Sequence, residues 1–320
     1  MGNLCSTDGA SASGLPLKNS AFVFVKPHAN TPATQKLVKE KLVEAGISIL
    51  SELSIDGPTI DENKLIDQHY YAIASKATIL PAKEIPVPPE KFQESFGESW
   101  EAVLSEDRAA NAMEACKRFE CDAAQLEEAW RAAEGGNKVV KFGGGFYCGL
   151  LTYNGQALYV FNAFFMSMRA KFVGADASIY CFEVEWDPTA LSWADFRGKV
   201  LGPTDPAEAP DGALRKLILD TWQDLGLKDE PNKGDNGVHA SASPFEGLAE
   251  KMNWLSKSLE QDVFGKALLD VGIPKDTLKA WSVDPRIKIT ADEQGSVFDT
   301  LEDLNVGDCL AKMKELNSLN

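Results

Sequence analysis

Gly234-Asp235-Asn236-Gly237-Val238-His239-Ala240-Ser241-Ala242-Ser243-Pro244 is a short polar loop that delivers a histidine to the start of a helix. Ser243 is a good N-cap, Pro244 suits the first helical position, and Glu246 completes a Ser-x-x-Glu capping box. Phe245, Leu248, Met252, Leu255 and Leu259 then recur at helical spacing, so the helix buries one face. Glu250 falls on this helix within reach of His239. The chain has only three histidines, His28, His69 and His239. A lone histidine is as often a satisfied structural residue as a functional one, so the loop alone does not decide between the two.

Working outward, residues 19–25 read as a buried central strand that ends in Lys26-Pro27-His28. Thr31 then caps a helix with Pro32 at its first position, Leu37, Val38, Leu42 and Ala45 on its apolar face, and Gly46 at its end. Ile47, Ile49, Leu53 and Ile55 alternate with polar residues as a half-buried strand. Asp61-Glu62-Asn63 opens a helix that runs through His69-Tyr70-Tyr71. Pro81, Pro86, Pro88 and Pro89 read as a stiff linker, and residues 90–134 as mainly helical, with Asp122 capping a segment that Gly135-Gly136 ends. Residues 138–161 read as a hairpin about Asn154-Gly155. Gly143-Gly144-Gly145 lacks the Gly-Lys-Ser/Thr that a phosphate loop needs and reads as a turn. Residues 179–186 form a further strand, followed by Arg197-Gly198-Lys199-Val200-Leu201-Gly202-Pro203-Thr204-Asp205-Pro206 and Asp211-Gly212-Ala213-Leu214-Arg215. Residues 257–320 follow, with helical pieces and Gly307 over 301–319 and no evident chemistry there.

At 320 residues, with 44% hydrophobic residues and seven tryptophans, the chain can fill one large core or two ordinary ones. A net charge of −16 opposes binding to a nucleic-acid backbone, so no nucleic-acid partner is expected. Any phosphate site must be built from individually placed basic residues. The cysteines at 5, 116, 121, 148, 181 and 309 form no Cys-x-x-Cys and do not cluster with histidine, which argues against zinc. No secretory segment precedes the first strand, so a reducing compartment is expected. Met1-Gly2-Asn3-Leu4-Cys5-Ser6 fits an N-myristoylation pattern at Gly2, with Cys5 placed for palmitoylation. Residues 1–18 would then be an acylated tether, and the protein would lie on the cytoplasmic face of a membrane or in the cytoplasm.

Three of these stretches together resemble the nucleoside diphosphate kinase family. That family runs a hydrophobic strand into Lys-Pro-Asp and carries its nucleophile in Arg-Asn-x-x-His-Gly-Ser-Asp, followed by a helix with a glutamate. Lys26-Pro27, Asn236-x-x-His239-x-Ser241 and Glu250 match in order and spacing. The resemblance implies an α+β fold with a ferredoxin-like antiparallel sheet over residues 19–256, interrupted by a large α/β insertion at about 77–175 and followed by a C-terminal extension over 257–320. It implies His239 as nucleophile, Glu250 as its orienting partner, and Lys26 and Arg215 as phosphate-binding cations. Thr204 and Asn236 would bond phosphate and sugar, and Tyr70 would sit near the transferred group; the plainer alternative is that Tyr70 is an amphipathic core-edge residue. The family's other arginine aligns on Gly198, which leaves Arg197 and Lys199 as alternatives. The implied activity is transfer between nucleoside triphosphates and diphosphates through a phosphohistidine, with Mg²⁺ carried on the nucleotide and homo-oligomers as the family's usual state. His28, Asp235, Ala240 and Ala242 depart from the pattern. Asp235 brings negative charge to an anion site, so a membrane-tethered binding module with little turnover is the competing expectation.

Overall fold

The computed structural model describes residues 17–320; Gly2 and Cys5 lie outside them. The described residues form two compact units. One holds the chain through Gly57 together with Asp176–Asn320, and the other is Pro58–Ala175. The protein is α+β.

The first unit is built on the strand Asn19–Val25, in which Ala21 to Val25 are fully buried. Its neighbours are Ser178–Trp186 on one side and the short strand Val238–Ala240 on the other. Ser48–Asp56 pairs on the far side of Ser178–Trp186. All three pairings are antiparallel, and the order places the first and third strands of this unit between the second and fourth.

Period-2 alternation explains how the sheet is used. Ala21, Val23 and Val25 face one way, into a core completed by Val38 and Leu42 of the helix Pro32–Glu44 and by Leu214 and Ile218 of Leu214–Asp220. Phe22 and Phe24 face the other way, where Trp254 of the helix Pro244–Trp254 packs against both rings at 6.1 and 5.6 Å. Gly247 permits this approach: a Cβ there would lie 2.9 Å from the Ser20 carbonyl oxygen.

The helix Pro244–Trp254 is buried on both sides. Its Phe245 and Leu248 enter a second core with Phe264, Leu268, Leu278, Trp281, Leu301 and Met313 of the C-terminal segment. The expected run through Leu259 is not one helix. Leu255 is its C-cap, Ser256 adopts φ +53°, and Leu259 reaches the same core from the following turn. The expected capping box is also altered. Ser243 Oγ accepts from the Glu246 N–H at 3.1 Å, but the Glu246 carboxylate accepts from Ala242 N–H at 2.8 Å, one residue before the cap.

The second unit contains the sheet Ala109–Asn111, Gln156–Phe161, Phe146–Tyr153 and Val139–Gly143 in that spatial order. The hairpin turns at Asn154 and Gly155 as expected, both with positive φ. Ala109–Asn111 joins the sheet parallel to its neighbour, within a stretch that had read as helical. The proline run is not a free spacer, because Ala82, Ile85 and Val87 are buried against Phe92 and Trp100.

A buried ion pair ties the histidine helix to the C-terminal segment. Lys251 Nζ lies 2.5 Å from Asp262 Oδ2, and Lys251 also donates to Ser20 Oγ at 2.9 Å. Asp262 Oδ1 caps the helix Val263–Asp270 through the Phe264 and Gly265 N–H groups. Asp262→Ala should therefore cost about 3–5 kcal/mol, because it strands a buried ammonium. Lys251→Met combined with Asp262→Asn removes both charges and keeps a capping oxygen, so it should cost far less. Denaturant unfolding of the two variants checks this; equal losses would show that the pair is not what matters.

Candidate active site around His239

Strand pairing places His239 directly opposite Phe24, so both side chains project from the same face of the sheet and stack with ring centroids 4.7 Å apart. That is the face covered by the helix Pro244–Trp254, which carries Glu250. His239 Nε2 lies 2.6 Å from Glu250 Oε1. The other carboxylate oxygen accepts from the Ser241 hydroxyl at 2.5 Å, and that hydroxyl accepts from the Phe22 N–H at 2.9 Å. Ser241 follows His239 by two residues and so shares its face. Ser241 is the motif's serine, and its bond to Glu250 is seen only in the folded chain.

The carboxylate partner assigns the ring proton to Nε2, which puts the lone pair of a neutral imidazole on Nδ1. Burial, followed by the positive charges of Lys26, Arg215 and Arg197, holds the His239 imidazole well below the usual histidine range. Glu250 pulls the other way, but one carboxylate shared with Ser241 is set against a dehydrated ring and three cations. The ring is therefore neutral at pH 7.

These three cations are held differently. Lys26 ends the first strand, and its Nζ lies 3.4 Å from the Gly234 carbonyl oxygen. Arg215 braces two backbone segments, donating to the Gly202 carbonyl at 2.8 Å and to the Val238 carbonyl at 3.1 and 3.3 Å. Arg197 is paired through Nη1 with Glu302 and Asp303, each at 2.7 Å. Lys199 is 74% exposed and paired along its own turn with Asp195. Of the two alternatives, Arg197 is the one whose charge acts on His239.

Asn236 is 2% exposed and donates from Nδ2 to the Thr204 carbonyl at 2.9 Å. Its Oδ1 is the one buried side-chain polar atom without a partner among the described residues. A buried acceptor left unmade costs about 1–3 kcal/mol unless a ligand supplies a donor. Thr204 itself is exposed. Gly237, next along, has φ +87°, and a Cβ there would meet Ile218 at 2.8 Å, so this tight passage requires glycine. Tyr70 belongs to the second unit, where it is packed against the alanine-rich core.

The two departures from the resembled pattern that bear ionisable side chains sit side by side. His28 Nε2 accepts from the Gly237 N–H at 3.0 Å, and His28 Nδ1 lies 3.7 Å from Asp235 Oδ1. The family motif has an acid at the first place and a base at the second; here the two types are exchanged. Asp235 is thus engaged with His28, not simply added charge at the anion site.

No family model matches this chain, and no curated protein sequence matches it. Solved structures similar to it include nucleoside diphosphate kinases. That of Aquifex aeolicus is 12% identical over 77% of this chain and 100% of its own, with a TM-score of 0.37. The Encephalitozoon cuniculi enzyme is 12% identical over 76% and 92%, at 0.35, and an enzyme of Pyrobaculum aerophilum is 15% identical over 77% and 98%, at 0.38. Likenesses at this identity and TM-score do not establish a shared activity.

Two outcomes test the local chemistry. Glu246, one turn before Glu250, is pushed up to about 8 by burial and then by repulsion from Glu250. A carboxyl raised in the folded state loses stability as pH climbs from its unfolded value toward the folded one, and the loss is complete above both. Glu246→Gln should therefore raise the melting temperature at pH 8 by about 2–4 °C for each kcal/mol recovered, and hardly at all at pH 4. A gain of equal size at both pH values would place the effect elsewhere. For the exchanged pair, a double-mutant cycle of His28→Asp and Asp235→Arg should give a favourable coupling of about 0.5–1 kcal/mol in stability. Strict additivity would mean that the pair is not coupled.

Proposed function

We propose that this protein transfers the terminal phosphoryl group of a nucleoside triphosphate to a nucleoside diphosphate through His239, on a sheet of ferredoxin-like type. The observation that carries the proposal is the His239–Glu250 contact: a neutral histidine, held through Nε2 by a buried carboxylate and lying in the field of three cations.

In the first half-reaction the Nδ1 lone pair attacks the γ-phosphorus. The bond from that phosphorus to the bridging oxygen breaks, and the diphosphate leaves with the electron pair. The imidazole becomes cationic as Nδ1 gives up its pair, and the Glu250 carboxylate on Nε2–H offsets that charge in the way that a triad's acid supports its histidine. The second half-reaction is the reverse, with an oxygen of the acceptor diphosphate displacing Nδ1. Lys26 and Arg215 would draw phosphate to the site, and Arg197 would join them in stabilising charge on its oxygens once the phosphate has displaced Glu302 and Asp303. Asn236 Oδ1 would accept from a sugar hydroxyl, which satisfies the buried acceptor. Thr204 would donate its hydroxyl to phosphate. Recognition through phosphate and sugar leaves the base little role.

The groups within this unit whose charges lower the His239 pKa are cations, and Glu250 is committed to His239 and Ser241. That donor set suits Mg²⁺ arriving on nucleotide phosphates better than a cage of protein ligands. When bound there, Mg²⁺ would neutralise part of the phosphate charge. Among the described residues no helix is long and apolar enough to cross a membrane. Acyl chains on Gly2 and Cys5 would instead hold the domain at a membrane surface, two chains being needed for stable attachment. A homo-oligomeric state remains part of the same proposal.

A second reading, nucleotide binding with little turnover, is favoured by the engagement of Arg197 with two carboxylates. Incubation with γ-labelled ATP and Mg²⁺ separates the two. We expect a labelled protein whose label is lost in acid and kept in base, absent from His239→Ala, and formed without loss of rate as pH falls from 8 to 6.5. Nucleotide binding without label would favour the second reading, and label persisting in His239→Ala would displace the nucleophile.

A further inference from the structure

The C-terminal segment reaches the candidate site at Arg197. Glu302 and Asp303 both contact Arg197 Nη1 at 2.7 Å. The segment that carries them is fixed on either side. Leu301 is buried, and the Asp303 N–H donates to the Ala242 carbonyl at 3.0 Å, three residues beyond His239. Asn305 Oδ1 accepts from the Trp193 N–H at 2.9 Å and from Asn19 Nδ2 at 2.8 Å, while the Val306 N–H donates to Asn19 Oδ1 at 2.8 Å. Asp303 itself has φ +62°, a conformation that aspartate tolerates better than most residues.

The charge count decides what this contact does. One guanidinium faces two carboxylates, so the group is net negative and offers a phosphate no net attraction while both acids are in place. The acids are tethered to the same fold, so they compete at a high effective concentration and with little ordering cost. All three side chains remain partly exposed, at 31% for Arg197 and 46% for each acid, so an incoming anion can displace them.

We infer that Glu302 and Asp303 determine the affinity of the anion site by occupying Arg197 as built-in competitors of a polyphosphate. They act through Arg197 and do not touch the reacting atoms. The inference rests on the reading of the His239 site as a phosphate site, but not on any transfer taking place there.

Equilibrium binding of inorganic tripolyphosphate to the full chain, followed by calorimetry, tests it. Glu302→Gln/Asp303→Asn keeps the shape of both side chains and removes two charges. It should bind tripolyphosphate about three- to tenfold more tightly than the wild type, consistent with two partly exposed ion pairs. The same two changes made on Arg197→Gln should bring no gain. With ATP, the concentration for half-maximal labelling of His239 should fall by a similar factor while the maximal rate changes much less. Unchanged or weaker binding in the double variant at an unchanged melting temperature would overturn the inference. So would an equal gain without Arg197, or failure of every variant to bind tripolyphosphate. Should the double variant fail to fold, Glu302→Gln alone serves the same test with a smaller expected gain. Tighter tripolyphosphate binding without any labelling would leave this inference standing and remove the phosphotransfer reading.

Discussion

The contact between His239 and Glu250 depends on two elements being locked to the same strand. The histidine is fixed because Val238–Ala240 pairs with Asn19–Val25, and the carboxylate because Pro244–Trp254 lies across the Phe22 and Phe24 face of that strand. Only three residues separate strand from helix, so Ser243 and Pro244 must turn the chain at once. Gly247 must then let the helix settle against the Ser20 carbonyl. A bulkier residue at that point would lift the helix and pull Glu250 away from the ring. Burying an ionised carboxylate is costly unless its oxygens are bonded. Glu250 meets that condition through His239 on one oxygen and Ser241 on the other. Glu246, its neighbour on the same face, meets the same low-polarity surroundings by keeping its proton.

Sequence carried most of this because the relevant signals are local. The alternation around Phe22 and Phe24 marks a buried strand, and the Ser-Pro start of the helix fixes where Glu250 falls. His239 itself read as part of a polar loop, and the short strand Val238–Ala240 that sets it beside Lys26 is visible only in the structure. Long-range choices were not legible. Arg197 and Lys199 are equivalent in sequence, and only the fold turns one toward the site and leaves the other with Asp195. His28 and Asp235, read separately, are two departures; their compensation is visible only when the loop closes onto the end of the first strand. The C-terminal acids gave no signal, because nothing in residues 301–305 indicates which surface they meet.

The second unit shows where periodicity misleads. The turn Asn154-Gly155 fixed its hairpin, since both residues accept positive φ. Three residues of strand between helices, Ala109–Asn111, are too short to show alternation and were absorbed into a helical reading. The prolines at 81–89 leave only one 3-10 turn, Ala82–Glu84, before the helix that Pro89 opens, but Ile85 and Val87 between them are apolar, and burial decides their fate. Composition described the backbone of that run correctly and its surroundings wrongly.

The proposed phosphate site of so acidic a protein poses an electrostatic problem of its own. With a net charge of −16 the long-range field repels a polyphosphate, and salt screens that repulsion beyond roughly 8–10 Å. Attraction must then come from cations held close to the binding position. The three near His239 meet this need in different ways. Arg215 donates to the backbone carbonyls of Gly202 and Val238. Lys26 is placed by the strand end, with its ammonium near the Gly234 carbonyl. Arg197 is paired with the carboxylates of Glu302 and Asp303, which lie on the surface and not in the core. On the proposed reading, the strength of the site is set by a contact outside the sheet and helix that build it. Geometry around His239 and affinity for anions are then separable: the first follows from the burial of Phe24, Glu250 and Ser241, the second from which partner Arg197 holds.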